Sequence, residues 1–170
     1  MSRIIIKQIT DNGTKLGIIK ISNGRQAEQQ AEKQLLHVML GKDVELTHGP
    51  DGEPIIPGNN ISISHTKGHL AIILSPTHHV GIDIEYRSER IRRIAHRFLR
   101  IDEPFKTIND LLAAWCAKEA LFKLHHKAKL TYQEMKIVPS ERIAIDTRHK
   151  TVTPYTIKTT REYTLLYMLE

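Results

Sequence analysis

The stretch that decides the fold is Gly81-Ile82-Asp83-Ile84-Glu85. In a strand, successive side chains alternate faces, so Ile82 and Ile84 point to one side while Asp83 and Glu85 point to the other, roughly 7 Å apart. One face belongs to a core and the other carries two carboxylates. Neighbouring acids repel each other and have low strand propensity, so a positive group is expected opposite them. Two readings are open: solvated acids on a surface strand balanced by Arg87 or Arg90, or acids that hold a hard divalent cation.

Before this strand, Ile61 to His65 and Leu70 to Leu74 also read as strands. Further upstream, Ile4 to Ile9 and Leu16 to Ile21 flank Asp11-Asn12-Gly13, a hairpin signal because Asn and Gly tolerate positive φ. Ala27, Ala31, Leu35, Leu36, Met39 and Leu40 recur at three to four and predict a helix from Arg25 to Leu40, capped by Asn23 and stopped by Gly41. Thr47 to Asn60 holds three prolines and three glycines and reads as a loop. Downstream, Ser88 is the expected cap of a helix whose apolar stripe is Ile91, Ile94, Ala95, Phe98 and Leu99. A further helix is expected from Ile108 to about His126, using Leu111, Leu112, Trp115 and Phe122 for its core face. Four strands follow, at Met135 to Val138, Arg142 to Ile145, Val152 to Lys158 and Tyr163 to Leu169. Helix and strand are shared evenly between the two ends, so the fold class is α+β, with one half over residues 1–78 and a second over 79–170 that carries the acids.

The chain has 170 residues, of which 40% are hydrophobic and 26% charged, a balance that supports a buried core and excludes a disordered chain. No apolar run approaches the ~20 residues that span a bilayer, and the first ten residues show no signal-peptide pattern, so a cytoplasmic protein is expected, without a membrane partner. The single cysteine, Cys116, excludes an internal disulfide and a cysteine-rich zinc site. Lys and Arg total 25 against 19 acids, an excess that points to an anionic partner. Aromatics are few, which disfavours a nucleic-acid platform.

Two more segments carry chemistry. In Trp115-Cys116-Ala117-Lys118-Glu119-Ala120-Leu121-Phe122-Lys123, Glu119 and Lys123 stand at i,i+4 on one helix face. They read either as an ordinary helix ion pair or as a third oxygen ligand and a phosphate contact. Ile61-Ser62-Ile63-Ser64-His65 is a hydroxyl-rich strand with a terminal imidazole, read either as an edge strand or as a phosphate contact. Ten histidines show no zinc-like spacing, and neither a phosphate-binding glycine loop nor a G-x-S-x-G elbow is present. Arg90, Arg93, Arg97 and Arg100 line one helix, as a solvated face or as a dock for an acidic partner.

Taken in order, Ser62 to His65, Gly81 to Glu85 and Trp115 to Lys123 resemble the S-I-S-H, G-[IV]-D-[IV]-E and W-x-x-K-E-A-x-x-K motifs of the 4′-phosphopantetheinyl transferase superfamily. The resemblance covers roughly Gly49 to Lys127, and the length is similar to a compact two-halved, Sfp-like branch. It implies two similar α+β halves related by a pseudo-twofold axis, a monomer, and a catalytic cleft between the halves. It implies transfer of the 4′-phosphopantetheine arm of coenzyme A to a serine of an acyl or peptidyl carrier protein, as in fatty acid biosynthesis, releasing adenosine 3′,5′-bisphosphate. By motif, Asp83, Glu85 and Glu119 would hold Mg²⁺, Lys123 would contact the phosphates, and Ser64 and His65 would lie at the adenosine end of coenzyme A. Lys118 matches the motif on the coenzyme A side, and Glu119 is a candidate for deprotonating the serine. Arg90, Arg93 and Arg97 would dock the acidic carrier. The alternative is a non-catalytic relative that binds a carrier or coenzyme A. The chain departs from the motifs at Gly52-Glu53-Pro54, where many relatives have G-K-P, and at Lys127-Ala128-Lys129, where relatives often have G-x-G.

Overall fold

The structure is a computed structural model and describes residues 3–170; residues 1 and 2 of the expected first half lie outside the described residues. In chain order the first part contains β1 (Ile4–Gln8), β2 (Lys15–Lys20), α1 (Arg25–Leu40), a short ribbon of β3 (Thr47–His48) and β4 (Pro54–Ile55), β5 (Asn60–Thr66) and β6 (His69–Ser75). The second part contains β7 (Val80–Tyr86), α2 (Arg90–Phe98), α3 (Ile108–Leu124), β8 (Met135–Val138), β9 (Ile143–Asp146), β10 (Thr151–Thr159) and β11 (Tyr163–Leu169). Among the described residues no helix is long and apolar enough to cross a membrane.

Two antiparallel sheets form, in the orders β1-β2-β6-β5 and β7-β11-β10-β9-β8. Strand alternation sorts their side chains into layers. Leu70, Ile72 and Leu74 of β6 pack against Ala31, Leu35, Leu36 and Met39 of α1. Ala71 and Ile73 of the same strand turn the other way and meet Ile82 and Ile84 of β7 with Leu165 and Tyr167 of β11. On the far side, Leu166 and Met168 of β11 pack under Leu112, Cys116 and Ala120 of α3 and Phe98 of α2. Helix, sheet, sheet and helix pair are thus stacked in that order.

A second set of contacts joins the sheets where β5 meets β7. Ser62, Ser64 and Thr66 of β5 accept the amides of Ile82 (3.1 Å), Ile84 (3.2 Å) and Tyr86 (3.0 Å) of β7. Spacing by two on one strand meets spacing by two on the other. The buried amides of Ile82 and Ile84 are paired by side-chain hydroxyls, which removes a cost of about 1–3 kcal/mol each.

Several local expectations are corrected. Gly24 rather than Asn23 occupies the N-cap of α1, with φ +115, and Glu89 rather than Ser88 that of α2; neither helix has a side-chain cap bond. Gly41 stops α1 in the left-handed conformation, its N–H donating to His37 O. α3 ends at Leu124, and His126–Ala128 forms a separate 3₁₀ turn. Phe122, expected in the core, is 39% exposed because it faces a cleft between the sheets. The loop Thr47 to Asn60 contains the β3–β4 ribbon.

Gly81 decides how closely α3 lies on β7. A Cβ there would stand 2.1 Å from Ala120 O and 3.0 Å from Leu124 Cβ, so the helix backbone itself occupies the space of a side chain. A Cβ at Gly17 would meet Met39 Sδ at 2.6 Å and Leu35 Cδ1 at 2.9 Å, the ends of flexible chains. Gly81→Ala is expected to cost about 1–3 kcal/mol in urea unfolding, and more than Gly17→Ala. Equal losses at the two positions contradict this packing.

Candidate active site

β7 and α3 bring Asp83, Glu85, Glu119 and Lys123 together. Because Ile82 and Ile84 are buried between the sheets, Asp83 and Glu85 face α3, and its closeness at Gly81 sets Lys123 against Asp83. Lys123 Nζ lies 2.9 Å from Asp83 Oδ1 and donates to Ile82 O at 2.9 Å. Of the positive groups, Lys123 stands against Asp83, and Arg90, one of the two arginines expected to balance the acids, acts on Glu85. Asp83 is not a solvated acid: it is 5% exposed, and its Oδ2 is buried without a partner among the described residues.

Glu85 and Glu119 complete the cluster. Burial pushes the Glu85 carboxyl up, opposed by the Thr66 hydroxyl and reinforced by the charge of Asp83. Burial likewise raises Glu119, opposed by the Tyr132 hydroxyl and reinforced by Asp83. The charge of Asp83 thus acts on both Glu85 and Glu119, a crowding of like charges that a bound cation relieves. Among the described residues no three of His, Cys, Asp and Glu stand as a ready-made metal cage. Lys123 and three hydroxyls instead bond one oxygen of each acid.

Those hydroxyls belong to Ser64, Thr66 and Tyr132, which donate to Asp83 Oδ1 (2.7 Å), Glu85 Oε1 (2.8 Å) and Glu119 Oε1 (2.7 Å). The resemblance implies Ser64 at coenzyme A; the structure places it against Asp83. It is buried, and its oxygen is committed to Asp83 and to the Ile84 amide, so it serves the seam between the sheets. Thr66 was signalled by continuing the alternation of Ser62 and Ser64. Tyr132, nine residues beyond the last motif, had no sequence signal; burial and Glu119 push its phenol well up, so it remains a donor.

Lys118 stands apart from the cluster. It has no exposure and faces away from the acids, bonding Glu103 Oε2 (2.6 Å), Phe98 O (2.7 Å) and Tyr132 O (3.1 Å). Burial lowers its ammonium and the Glu103 carboxylate holds it up. Its effect on the site is indirect, through the backbone of Tyr132.

His65 is half-exposed, with Nδ1 3.4 Å from Glu28 Oε1 of α1. It lines a cleft of about 500 Å³ with Lys67, Glu85 and Arg90. A second cleft of about 510 Å³ is lined by Lys123, Ser62, Glu53 and Lys127. Across it the two departures from the motifs face each other: Glu53 stands 3.9 Å from His126 and Asp51 pairs with Lys129 at 3.1 Å. A third groove, about 320 Å³, runs from Glu85 along Ile91, Ile94, Leu112 and Trp115. Arg90 and Arg97 also line it, and Arg93 is exposed on α2. Arg100 leaves the expected stripe, pairing with Asp102 at 2.8 Å and donating to Gln133 O.

The family model of the 4′-phosphopantetheinyl transferase superfamily matches residues 79–167, just over half of the chain. The chain belongs to that superfamily. No curated protein matches it. The matched stretch contains Asp83, Glu85, Lys118, Glu119 and Lys123 and leaves Ser64 and His65 outside, so superfamily membership rests on the second sheet and its two helices.

Removing the ammonium from the buried pair leaves Glu103 uncompensated. Lys118→Met is expected to lower stability by about 3–5 kcal/mol in chemical denaturation. A loss under about 1 kcal/mol contradicts the buried ion pair, since that is the range of an exposed one.

Proposed function

We propose that the protein transfers the 4′-phosphopantetheine arm of coenzyme A to a serine of an apo acyl or peptidyl carrier protein, releasing adenosine 3′,5′-bisphosphate. The observation that carries this reading is the meeting of Asp83, Glu85 and Glu119 with Lys123 on one β7–α3 contact inside the family match. We take the chain as a compact, Sfp-like monomer whose halves, 1–78 and 79–170, are related by a pseudo-twofold. Its free, buried Cys116 fits a reducing cytoplasm.

The donor set suits a hard divalent cation, because it is all carboxylate and Asp83 Oδ2 is buried without a partner. Asp83, Glu85 and Glu119 would hold Mg²⁺, which neutralises the pyrophosphate charge when bound. Lys123 binds and orients a phosphate oxygen. Glu119, made more basic by burial and by Asp83, accepts the serine proton. The serine oxygen then bonds to the pantetheine-side phosphorus, and the bond from that phosphorus to the bridging oxygen of adenosine bisphosphate breaks. No protein nucleophile is needed: Cys116 is buried and its thiol is pushed up by burial and by Asp83.

His65 lies on the cleft that reaches Glu85, which suits a contact with the adenosine end of coenzyme A. Arg90, Arg93 and Arg97 are exposed beside the apolar groove and fit the acidic helix of a carrier. The acids Asp51 and Glu53 across the second cleft favour one other reading, a relative that binds without turnover. Retention of all three cluster acids speaks for catalysis.

Intact-mass spectrometry of apo carriers incubated with coenzyme A and Mg²⁺ tests the reading. Wild-type protein is expected to add one phosphopantetheine group. Glu119→Gln is expected to slow the addition by about 10²–10⁴-fold. No addition to any fatty-acid or peptide-synthetase carrier contradicts it.

A further inference from the structure

Each acid of the cluster receives one hydroxyl hydrogen bond, and the donors come from two places in the chain. Ser64 and Thr66 project from β5, and Tyr132 stands in the 3₁₀ turn Tyr132–Glu134. A hydroxyl has one proton and two lone pairs. In Ser64 and Thr66 a lone pair is engaged by the amide of Ile84 or Tyr86, so the oxygen is held by the backbone and its single proton is sent to the carboxylate. Tyr132 is held at both ends of its residue. Lys118 bonds its carbonyl, and its ring lies against Trp115 with centroids 5.7 Å apart. Among the described residues, the hydroxyl of Thr66 and the amide of Tyr86 reach Glu85 at Oε1, and Tyr132 reaches Glu119 at Oε1. Asp83 Oδ2 is buried and without a partner. One oxygen of each acid is thus fixed, and among the described residues the other carries no hydrogen bond.

We propose that Ser64, Thr66 and Tyr132 are positioning residues that lock the rotamers of Asp83, Glu85 and Glu119 for a divalent cation. The proposal rests on the metal reading above. Hydrogen bonds to charged carboxylates are about twice as strong as neutral ones, and like charges crowded together rotate apart unless such donors hold them. Ser62 separates positioning from simple sheet joining. It accepts the Ile82 amide in the same row and, among the described residues, has no hydrogen bond to an acid, so it contributes to the seam alone.

The test is calorimetric titration of Mn²⁺ into the full chain without coenzyme A, alongside melting curves. Tyr132→Phe keeps the ring and Thr66→Val keeps the side-chain shape; each is expected to weaken Mn²⁺ binding by about 10-fold or more. Thr66→Ser is expected to restore it. Ser62→Ala is expected to lower the melting temperature and leave Mn²⁺ affinity unchanged. The proposal is overturned if Tyr132→Phe and Thr66→Val bind Mn²⁺ within about two-fold of wild type, or if Ser62→Ala weakens binding as much as Thr66→Val. Absence of any Mn²⁺ binding that Asp83→Asn removes overturns the metal reading itself, and the proposal with it.

Discussion

The amides of Ile82, Ile84 and Tyr86 need partners, and Ser62, Ser64 and Thr66 supply them. Much of the molecule depends on that constraint. β7 is the edge of its sheet, and an edge strand buried against a second sheet exposes a row of donors that water does not reach. A third ladder strand would satisfy them and merge the sheets into one. Hydroxyls from the face of β5 satisfy them and let the sheets pack face to face, with Ala71, Ile73, Ile82 and Ile84 between them. The same arrangement orients the acids, because two of the three hydroxyls donate hydrogen bonds to Asp83 and Glu85.

A basic chain thereby acquires an acidic centre. The net charge of +6 resides on surfaces such as α2, while the carboxylates gather where α3 comes down on Gly81. Lys118 and Glu119 are neighbours in sequence with opposite duties. Lys118 is buried with Glu103 and holds the backbone of Tyr132; Glu119 faces the cluster and takes the Tyr132 hydroxyl. One side chain thus anchors the residue that positions its neighbour.

The alternation in Gly81 to Glu85 was enough to place two isoleucines in a core and two acids on one face, and the i,i+4 step was enough to put Glu119 and Lys123 on one side of α3. Helix and strand positions were legible for the same reason: they depend on local periodicity. What was not legible is what depends on contacts far apart in sequence. For the hydroxyls of β5 two readings stood open, an edge strand or a phosphate contact, and nothing local reveals that backbone amides some twenty residues later bond them. The burial of Lys118 was not legible because its partner Glu103 lies in the segment before α3 rather than on the helix. Glu53 and Lys129 looked like separate departures, although the fold sets residues 51–53 opposite 126–129 and pairs their charges.

The central claim is that Asp83, Glu85 and Glu119 form one cation-binding centre beside a phosphate-binding lysine. The most direct measurement is anomalous diffraction from crystals soaked with Mn²⁺ and coenzyme A. The account predicts a Mn²⁺ peak in contact with these carboxylates and pyrophosphate density within reach of Lys123. Ordered coenzyme A with no metal peak among the three acids, or with its pyrophosphate bound elsewhere, would contradict it.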